Sequence, residues 1–228
     1  SLCHNHDSNH KKKVKGETLF FLGGSGAISG SVLRVLEHIK NSQLTVVFVV
    51  PDVDLLSETA YLQNRAVFFI LQEYARSGLM EKLILLDSAI IEEIIPDLTI
   101  LTKYDKINEV LCSTINILNT FDNQAPILET SSNKSSIARI CTIGQFDMEE
   151  NLENLFFSLD NVTEKCYYYA IPQKRLEEDT KLSKMITTQI KEKNKDKDLK
   201  NSFRVHSTSY DESFCYVVAH SSQIQKSS

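Results

Sequence analysis

"LFFLGGSGAISG", residues 19–30, is the stretch that decides the fold of this chain. An apolar segment typical of a buried strand enters a loop with four glycines in eight residues, and residues 31–40 have the apolar spacing of a helix. Glycine lets the backbone adopt a positive φ and lets a bulky anion approach closely. The helix that follows offers unpaired N–H groups and the positive end of its dipole. This order predicts a phosphate-binding loop, although such glycines also serve tight packing between strand and helix.

Length and composition are those of an ordinary globular protein. The 228 residues are 42% hydrophobic and 24% charged, enough for one large domain or two small ones. The net charge of −5 and the short apolar runs predict neither a membrane span nor direct, sequence-specific binding of nucleic acid. The five cysteines are widely spaced and include no C-x-x-C pair, which favours reduced thiols in a cytoplasmic protein.

Residues 1–16 are polar and precede the first predicted strand. Lys11, Lys12, Lys13 and Lys15 are crowded together there. Three histidines lie nearby, but no cysteine or carboxylate array completes a metal site, so none is predicted. We expect a flexible tail. Because the first residue is serine rather than methionine, we also expect a processed chain or a piece of a longer one.

Strands and helices alternate through the first half of the chain. Residues 44–50 and 82–86 are unbroken apolar runs, typical of strands buried on both faces of a parallel sheet. Short loops between these elements imply right-handed crossovers and a Rossmann-like, doubly wound α/β fold. The loops at the carboxyl ends of such strands share one edge, where ligands bind. The predicted strands are 18–22, 44–50 and 82–86, and the predicted helices are 31–40 and 57–76.

A long helix is predicted over residues 102–119. Its apolar stripe is wide enough to pack against two domains. Tyr104 and Asn108 are four residues apart and share another face near the start of this helix. At the edge of a sheet, the ring could stack on a nucleobase while the amide hydrogen-bonds to the edge of the base. Such a pair is also common on an ordinary helix surface, so the spacing alone leaves both interpretations open.

The rest of the chain has a different order of elements. Residues 122–135 have the composition of a linker. Residues 136–228 predict a small β-α-β-α-β-β domain with its helices on one face of the sheet. The predicted elements are strand 136–143, helix 151–159, strand 165–170, a helix through 182–190, and a closing hairpin formed by 203–210 and 214–219.

Five motifs, in this order, resemble the tubulin/FtsZ superfamily over about residues 17–220. They are GGSGAISG at 23–30, LTVVFVVP at 44–51, KLILLDSAII at 82–91, YDKINEVLCSTINIL at 104–118 and FDNQAP at 121–126. The resemblance implies a partial GTPase domain over 17–121 that includes the central helix 102–119. It also implies a catalytic-type loop at 122–135 and an activation domain at 136–228.

The resemblance further implies which residues bind GTP or GDP, with Mg²⁺ as a candidate companion ion. Glu58 or Asn64 would contact the ribose. Tyr104 would stack on guanine, Asn108 would hydrogen-bond to its edge, and Ser88 stands where the family has the asparagine of an Asp-Asn turn. The phosphate-binding residues would be Gly23, Gly24, Ser25, Gly26, Ser29 and Gly30.

Members of this family assemble head to tail, and the loop after the central helix of one subunit completes the active site of the next. Asp122 and Glu129 are the acids near that loop in this sequence, and they would orient the attacking water. The sequence departs from the family pattern at Ala27 and Ile28 in the glycine loop and at Asp87-Ser88. Nothing before Thr18 resembles the family's first glycine loop. These departures leave open whether GTP is hydrolysed.

The sequence therefore predicts a GTP-binding protein that polymerises with itself into filaments, of the kind used for cell division or for positioning DNA or capsids. A first alternative is a non-hydrolysing scaffold with the same fold. A second is a Rossmann-like, nucleotide-dependent enzyme that uses the same glycine loop. The element order of the second half and the motif at 104–118 disfavour that second alternative.

Overall fold

The computed structural model describes residues 16–24, 31–39, 43–96, 98–130, 138–196 and 198–226. Nine strands and six helices lie in these ranges. The strands are β1 Glu17–Gly23, β2 Gln43–Val50, β3 Lys82–Asp87, β4 Leu128–Glu129, β5 Ile140–Asp147, β6 Leu152–Leu155, β7 Val162–Pro172, β8 Lys200–Thr208 and β9 Phe214–Ser221. The helices are α1 Val32–Ile39, α2 Glu58–Arg76, α3 Ser88–Ile94, α4 Lys103–Asp122, α5 Gln173–Glu178 and α6 Leu182–Lys193.

All nine strands form one sheet, in the order β1-β2-β3-β5-β9-β7-β8-β4, with β6 paired to β5 off this path. Strands β1, β2, β3 and β5 run parallel to one another. Strand β9 is antiparallel to both of its neighbours, β5 and β7, and β7 is parallel to β8. The parallel α/β arrangement predicted for the first half is thereby confirmed.

Strands β2 and β3 lie in the middle of this first half and are buried on both faces. Successive side chains of a strand point to opposite faces, so β3 contributes to two cores. Leu83 and Leu85 pack in the core beneath α1 and α2. Ile84 and Leu86 pack in the core beneath α4. The unbroken apolar sequence of β3 is thus explained by helices on both sides of the sheet.

The bounds of α2 agree with the predicted helix 57–76. Ser57 is the N-cap, and its hydroxyl oxygen accepts a hydrogen bond from the Ala60 N–H at 3.3 Å. Past the end of the helix, Gly78 takes a φ of +77°, which an L side chain would disfavour.

Residues 151–159 do not form the predicted helix. The Asp147 carboxylate accepts hydrogen bonds from the N–H groups of Glu149 and Glu150, and these bonds hold a tight turn at the end of β5. Asn151 has a φ of 56°, and β6 then returns antiparallel along β5. The apolar residues that suggested one helical face are divided among three cores, with Leu155 in the core that contains α6, Phe156 in the core beneath α4, and Leu159 against the core beneath α1 and α2. Strand pairing overrides the local pattern here.

Residues 203–210 and 214–219 do not form the predicted hairpin. They lie largely in β8 and β9, but β7 lies between these two strands. The reason is burial, since residues 167–171 of β7 are apolar or aromatic on both faces and are all buried. Burial of this kind is typical of a strand in the interior of a sheet, and β7 pairs with β8 on one side and β9 on the other.

Helix α4 packs against both halves of the sheet. Leu111 and Ile115 share one core with Ile84 of β3 in the first half, and with Ile143 and Val218 of β5 and β9 in the second. The division into a GTP-binding domain and an activation domain stays a prediction. Residues 1–15 of the expected tail 1–16, and residues 131–135 of the expected linker 122–135, lie outside the described residues. No helix in the described part of the chain has both the length and the apolarity to cross a membrane.

A pair of buried glutamines joins the end of the chain to α2. Gln72 is fully buried and Gln225 is 1% exposed. The Gln72 side chain donates to the Gln225 carbonyl at 3.2 Å and accepts from the Gln225 N–H at 2.6 Å. The Gln225 side chain in turn accepts from the Asp160 N–H and donates to the Ser221 hydroxyl. The segment after β9 is therefore hydrogen-bonded to an element of the first half.

The second half contains a partly buried ionic cluster around Glu153 of β6. Its carboxylate lies 2.6 Å from the Lys165 Nζ and 2.7 Å from the Lys193 Nζ, and it accepts a hydrogen bond from the Tyr167 hydroxyl. Burial opposes ionisation of Glu153, yet these three donors lower its pKa to about 2. The cluster ties the end of α6 to β6 and β7.

Candidate functional site

The carboxyl ends of the parallel strands β1, β2 and β3 meet at one edge of the sheet. The strand register places Gly23 beside Val49, and Val50 beside Asp87. The loops that follow these strands therefore share this edge, as predicted. We call it the carboxyl edge. The sequence pattern predicted that a nucleotide binds at this edge.

Gly24 and Asn64 are in direct contact at this edge. The Gly24 N–H donates to the Val49 carbonyl at 3.0 Å. A β-carbon added to Gly24 would lie 1.9 Å from the Asn64 Oδ1 and 2.8 Å from the Pro51 Cδ, so only glycine fits. Asn64 is 2% exposed, and its Oδ1 has no hydrogen-bond partner among the described residues. An unpaired buried acceptor costs about 1–3 kcal/mol, and it can accept from a ligand hydroxyl beside the glycine loop.

The other residues predicted to bind phosphate and ribose are only partly described. Ser25, Gly26, Ser29 and Gly30 lie outside the described residues. Gly23 is exposed at the end of β1, and Glu58 is exposed in the first turn of α2. Of the two predicted ribose contacts, Asn64 therefore touches the start of the glycine loop while Glu58 lies open to solvent.

Asp87 ends β3 and caps α3. Its Oδ1 accepts hydrogen bonds from the N–H groups of Ala89 at 2.9 Å and Ile90 at 3.4 Å. Burial raises the pKa of Asp87 and the two N–H donors oppose this, while the negative charges of Asp52 and Glu93 raise it further. Ser88, the first residue of α3, is half-buried beside this cap. Asp87 thus stabilises the start of α3 as its N-cap, and it adds negative charge to the carboxyl edge.

The start of α4 lies beside α3. Lys103 forms an ion pair with Glu92, and this bond is the main cause that raises the Lys103 pKa, to which Asp52 also contributes. Because α3 begins directly after Asp87 at the carboxyl edge, the ion pair with Glu92 of α3 holds the start of α4 near this edge. Tyr104 is 68% exposed with its ring 6.0 Å from the Lys103 Nζ, and Asn108 is exposed one turn later. Both side chains are exposed and therefore accessible to a ligand.

The two acids predicted to be catalytic lie at the other end of α4. The Asp122 Oδ1 accepts from the Arg204 Nη1 at 2.8 Å and from the Tyr168 hydroxyl at 2.9 Å. The Glu129 Oε2 lies 3.8 Å from the Arg204 Nε. Both carboxylates therefore face one guanidinium. At about 1.5 Å of rise per residue, Asp122 lies about 27 Å along the helix from Tyr104.

A buried histidine lies behind these acids. The His206 ring stacks on Phe121 with centroids 4.4 Å apart, and it is 2% exposed. Its Nε2 has no hydrogen-bond partner among the described residues. Burial lowers the pKa of His206 and the Arg204 charge lowers it further, while Asp122 and Glu129 oppose this shift. Nothing in the sequence pattern distinguished Arg204 or His206, because each is one polar residue in an ordinary alternating strand.

No family model and no curated protein matches the sequence. Solved structures do match at probability 1.00. One is a GTPγS-form protofilament of TubZ from Bacillus thuringiensis serovar israelensis, at 17% identity and TM-score 0.58, over 90% of this chain and 60% of that one. The chain has a tubulin/FtsZ-like fold.

Two further matches have the same fold. CetZ from Methanosaeta thermophila matches at 16% identity and TM-score 0.58, over 91% of this chain and 61% of the CetZ chain. An FtsZ dimer from M. jannaschii matches at 14% identity and TM-score 0.59, over 90% and 63%. The chain thus spans about three fifths of the length of each tubulin/FtsZ-like structure it matches.

Proposed function

We propose that this chain contributes the carboxyl edge and the central helix of a GTP-binding protein that assembles head to tail into filaments. The observation that carries the proposal is the position of α4. Its start carries Tyr104 and Asn108, and its end carries Asp122, about 27 Å away along the helix, with Glu129 in the following strand β4. One subunit cannot bring these two groups together, whereas two stacked subunits can.

The carboxyl edge suits a nucleotide. Gly24 leaves no room for a side chain beside Asn64, whose Oδ1 is an unpaired acceptor. We assign the ribose to Asn64, the base to Tyr104 and Asn108, and the phosphates to the glycine loop. A bound nucleotide would supply the phosphate bond whose cleavage, if it occurs, requires an acid from the next subunit. Mg²⁺ would accompany the phosphates. No group of three or more metal-ligating side chains lies in the described part of the chain, so any such ion would depend chiefly on the nucleotide.

The matched structures support self-association, since the TubZ structure is described as a protofilament and the FtsZ structure as a dimer. Filaments follow when the same heterologous contact repeats without closing. The test is sedimentation and negative-stain microscopy of the protein made from its complete reading frame, with GTPγS, GDP or no nucleotide. We expect filaments with GTPγS. A protein that binds GTP but remains monomeric at every concentration would contradict the assembly part of the proposal.

A non-hydrolysing scaffold is the second candidate, and one observation favours it. Arg204 neutralises both acids, and Asp122 also accepts from Tyr168. A carboxylate held in this way is less able to orient water. Filaments that form with GTP but release no phosphate would establish this candidate over the GTPase. The fold of the matched structures favours both of these over a Rossmann-like enzyme.

A further inference from the structure

An open cleft lies at the carboxyl edge of the second half of the sheet, apart from Gly24 and Tyr104. Its volume is about 940 Å³. The turn after β5, the start of α5 and the loop before β9 form its walls. Apolar side chains line part of it, namely those of Phe146, Met148, Pro172 and Phe214.

Carboxylates dominate the rim of this cleft. Six acidic residues line it against Lys174 and Arg175, and they are Asp147, Glu149, Glu178, Asp179, Asp211 and Glu212. Arg175 is already engaged, since its guanidinium contacts Glu149 at 3.0 Å and Asp179 at 3.4 Å. Within the described ranges no ion pair involves Glu178, Asp211 or Glu212. The open part of the rim is therefore negative and fits a cationic segment with some apolar character.

The sequence contains one segment of this chemistry. Residues 10–15 read His-Lys-Lys-Lys-Val-Lys, with four lysines, one valine and no acid. The other lysine-rich stretch, 191–200, has acidic residues between its lysines. Residues 10–15 lead directly into Gly16 and the amino end of β1, at the edge of the sheet opposite the cleft.

The dimensions of the sheet determine whether residues 10–15 can reach the cleft of their own subunit or that of a neighbouring subunit. From β1 to β9 there are four strand steps, about 19 Å at about 4.8 Å each, and β1 itself is about 23 Å long. The cleft of the same copy is thus about 30 Å from Gly16, whereas the backbone of Lys11 extends at most about 17 Å from it. In a head-to-tail stack the amino edge of one copy faces the carboxyl edge of the next. The remaining separation is then the distance of about 19 Å across the sheet from β1 to β9. This distance is within reach of the long side chains of Lys11 and Lys12.

We propose that the acidic cleft of one subunit binds the lysine-rich segment 10–15 of the neighbouring subunit. This inference rests on the proposed head-to-tail assembly for the direction of stacking, but the pairing of cleft and segment can be measured alone. The lysines meet the free carboxylates on the rim, and Val14 meets the apolar lining. Since the rim is exposed, salt screens the contact, and binding weakens as ionic strength rises.

A peptide of residues 8–16 with a fluorescent label tests the pairing directly. The receptor is the full chain with Lys11, Lys12, Lys13 and Lys15 changed to Gln, so that its own segment does not compete. We expect the peptide to bind at least tenfold more tightly than its four-glutamine counterpart, by fluorescence anisotropy at low salt. The receptor variant Asp211→Lys/Glu212→Lys should lose at least fivefold in affinity. A matched receptor variant, Lys191→Gln/Lys195→Gln at the opposite edge, should keep its affinity. Equal binding of the two peptides, or no effect of the rim variant, would overturn the inference.

A charge exchange separates this inference from the proposed function. In sedimentation, the segment variant Lys12→Glu/Lys13→Glu and the rim variant Asp211→Lys/Glu212→Lys should each pellet less, and a mixture of the two should recover. If all variants pellet like the parent, the inference fails and the proposed assembly stands. If nothing pellets but the peptide binds as expected, the proposed assembly fails and the recognition of the segment by the cleft stands.

Discussion

The side-chain oxygen of Asn64 lies where Gly24 would have to place a β-carbon, 1.9 Å from that position. The Asn64 side chain of α2 therefore contacts the glycine loop in the space that a side chain at position 24 would fill. This contact ties the conformation of the loop to a residue on a long, well-packed helix.

Substitution of Gly24 by alanine should destabilise the fold. The new methyl group would collide with the Asn64 Oδ1 and the Pro51 Cδ, and overpacking of this kind costs about 1–3 kcal/mol. Urea denaturation measures the loss. Gly23→Ala is the matched control, because nothing lies within 4 Å of its added β-carbon. The double variant Gly24→Ala/Asn64→Ala should be less destabilised than the sum of the two single variants, and strict additivity would contradict the contact.

Substitutions at the start of α4 should affect nucleotide binding and not folding. Tyr104 is 68% exposed, so Tyr104→Ala removes little packing, but we expect it to cost about 1–3 kcal/mol of GTP binding through lost stacking. Asn108→Ala should narrow the preference for GTP over ATP. Asn116→Ala, exposed further along the same helix, should change neither. Competition binding with the protein from the complete reading frame measures these effects, and equal affinity of the parent for GTP and ATP would contradict the base assignment.

Alanine substitutions of Asp122 and Glu129 should show which of these acids takes part in GTP hydrolysis. We expect slow hydrolysis that rises with protein concentration, because the acid and the nucleotide come from different subunits. Asp122→Ala and Glu129→Ala are assayed separately for phosphate release and for pelleting. A variant that pellets but releases no phosphate identifies its residue as the acid that acts on the next subunit. If both release phosphate like the parent, neither residue is that acid.

Stability should fall as the pH drops below about 6.5, the ordinary pKa of histidine. The pKa values of His206 and His220 are both lowered, chiefly by burial, so the unfolded chain takes up protons that the folded chain resists. The stabilisation is complete above about pH 6.5 and is lost below it, by at most about 1.4 kcal/mol per pH unit for each histidine. Urea denaturation between pH 7.5 and 5.5 measures the slope.

Variants assign this slope to residues. His206→Phe keeps the ring that stacks on Phe121 and removes the titration, so the slope should become smaller. The double variant with His220→Gln should be nearly flat in this range, whereas His38→Gln, at an exposed position, should behave like the parent. An unchanged slope in His206→Phe would show that Asp122 and Glu129 already compensate the charge of a protonated ring, against the repulsion from Arg204.

The parallel half of the fold could be predicted from sequence, because β2 and β3 carry unbroken apolar runs that only a sheet with helices on both faces can bury. The bounds of α2 and the start of α4 could also be predicted, whereas α4 continues to Asp122, three residues past its predicted end at 119. The second half was harder for a physical reason. Leu155, Phe156 and Leu159 have helical spacing, but they enter three different cores, because residues 152–155 pair with β5 as strand β6.

The candidate site also has a part that the sequence predicted and a part that it did not. The carboxyl edge followed from strand direction, and Asn64 followed from the resemblance. The engagement of Asp122 and Glu129 by Arg204 could not be foreseen, since it joins residues far apart in the sequence. An arginine on an alternating strand has no pattern that distinguishes it from any other exposed cation.

The hydrogen bonds between Gln72 and Gln225 have a consequence for how this molecule unfolds. They attach the segment after β9 to α2, while α4 and the two phenylalanines after β6 join the same halves elsewhere. No plane through the molecule separates the halves without breaking buried contacts. Melting is therefore expected to be a single cooperative event, and a ligand held at the carboxyl edge would slow amide exchange as far away as β9.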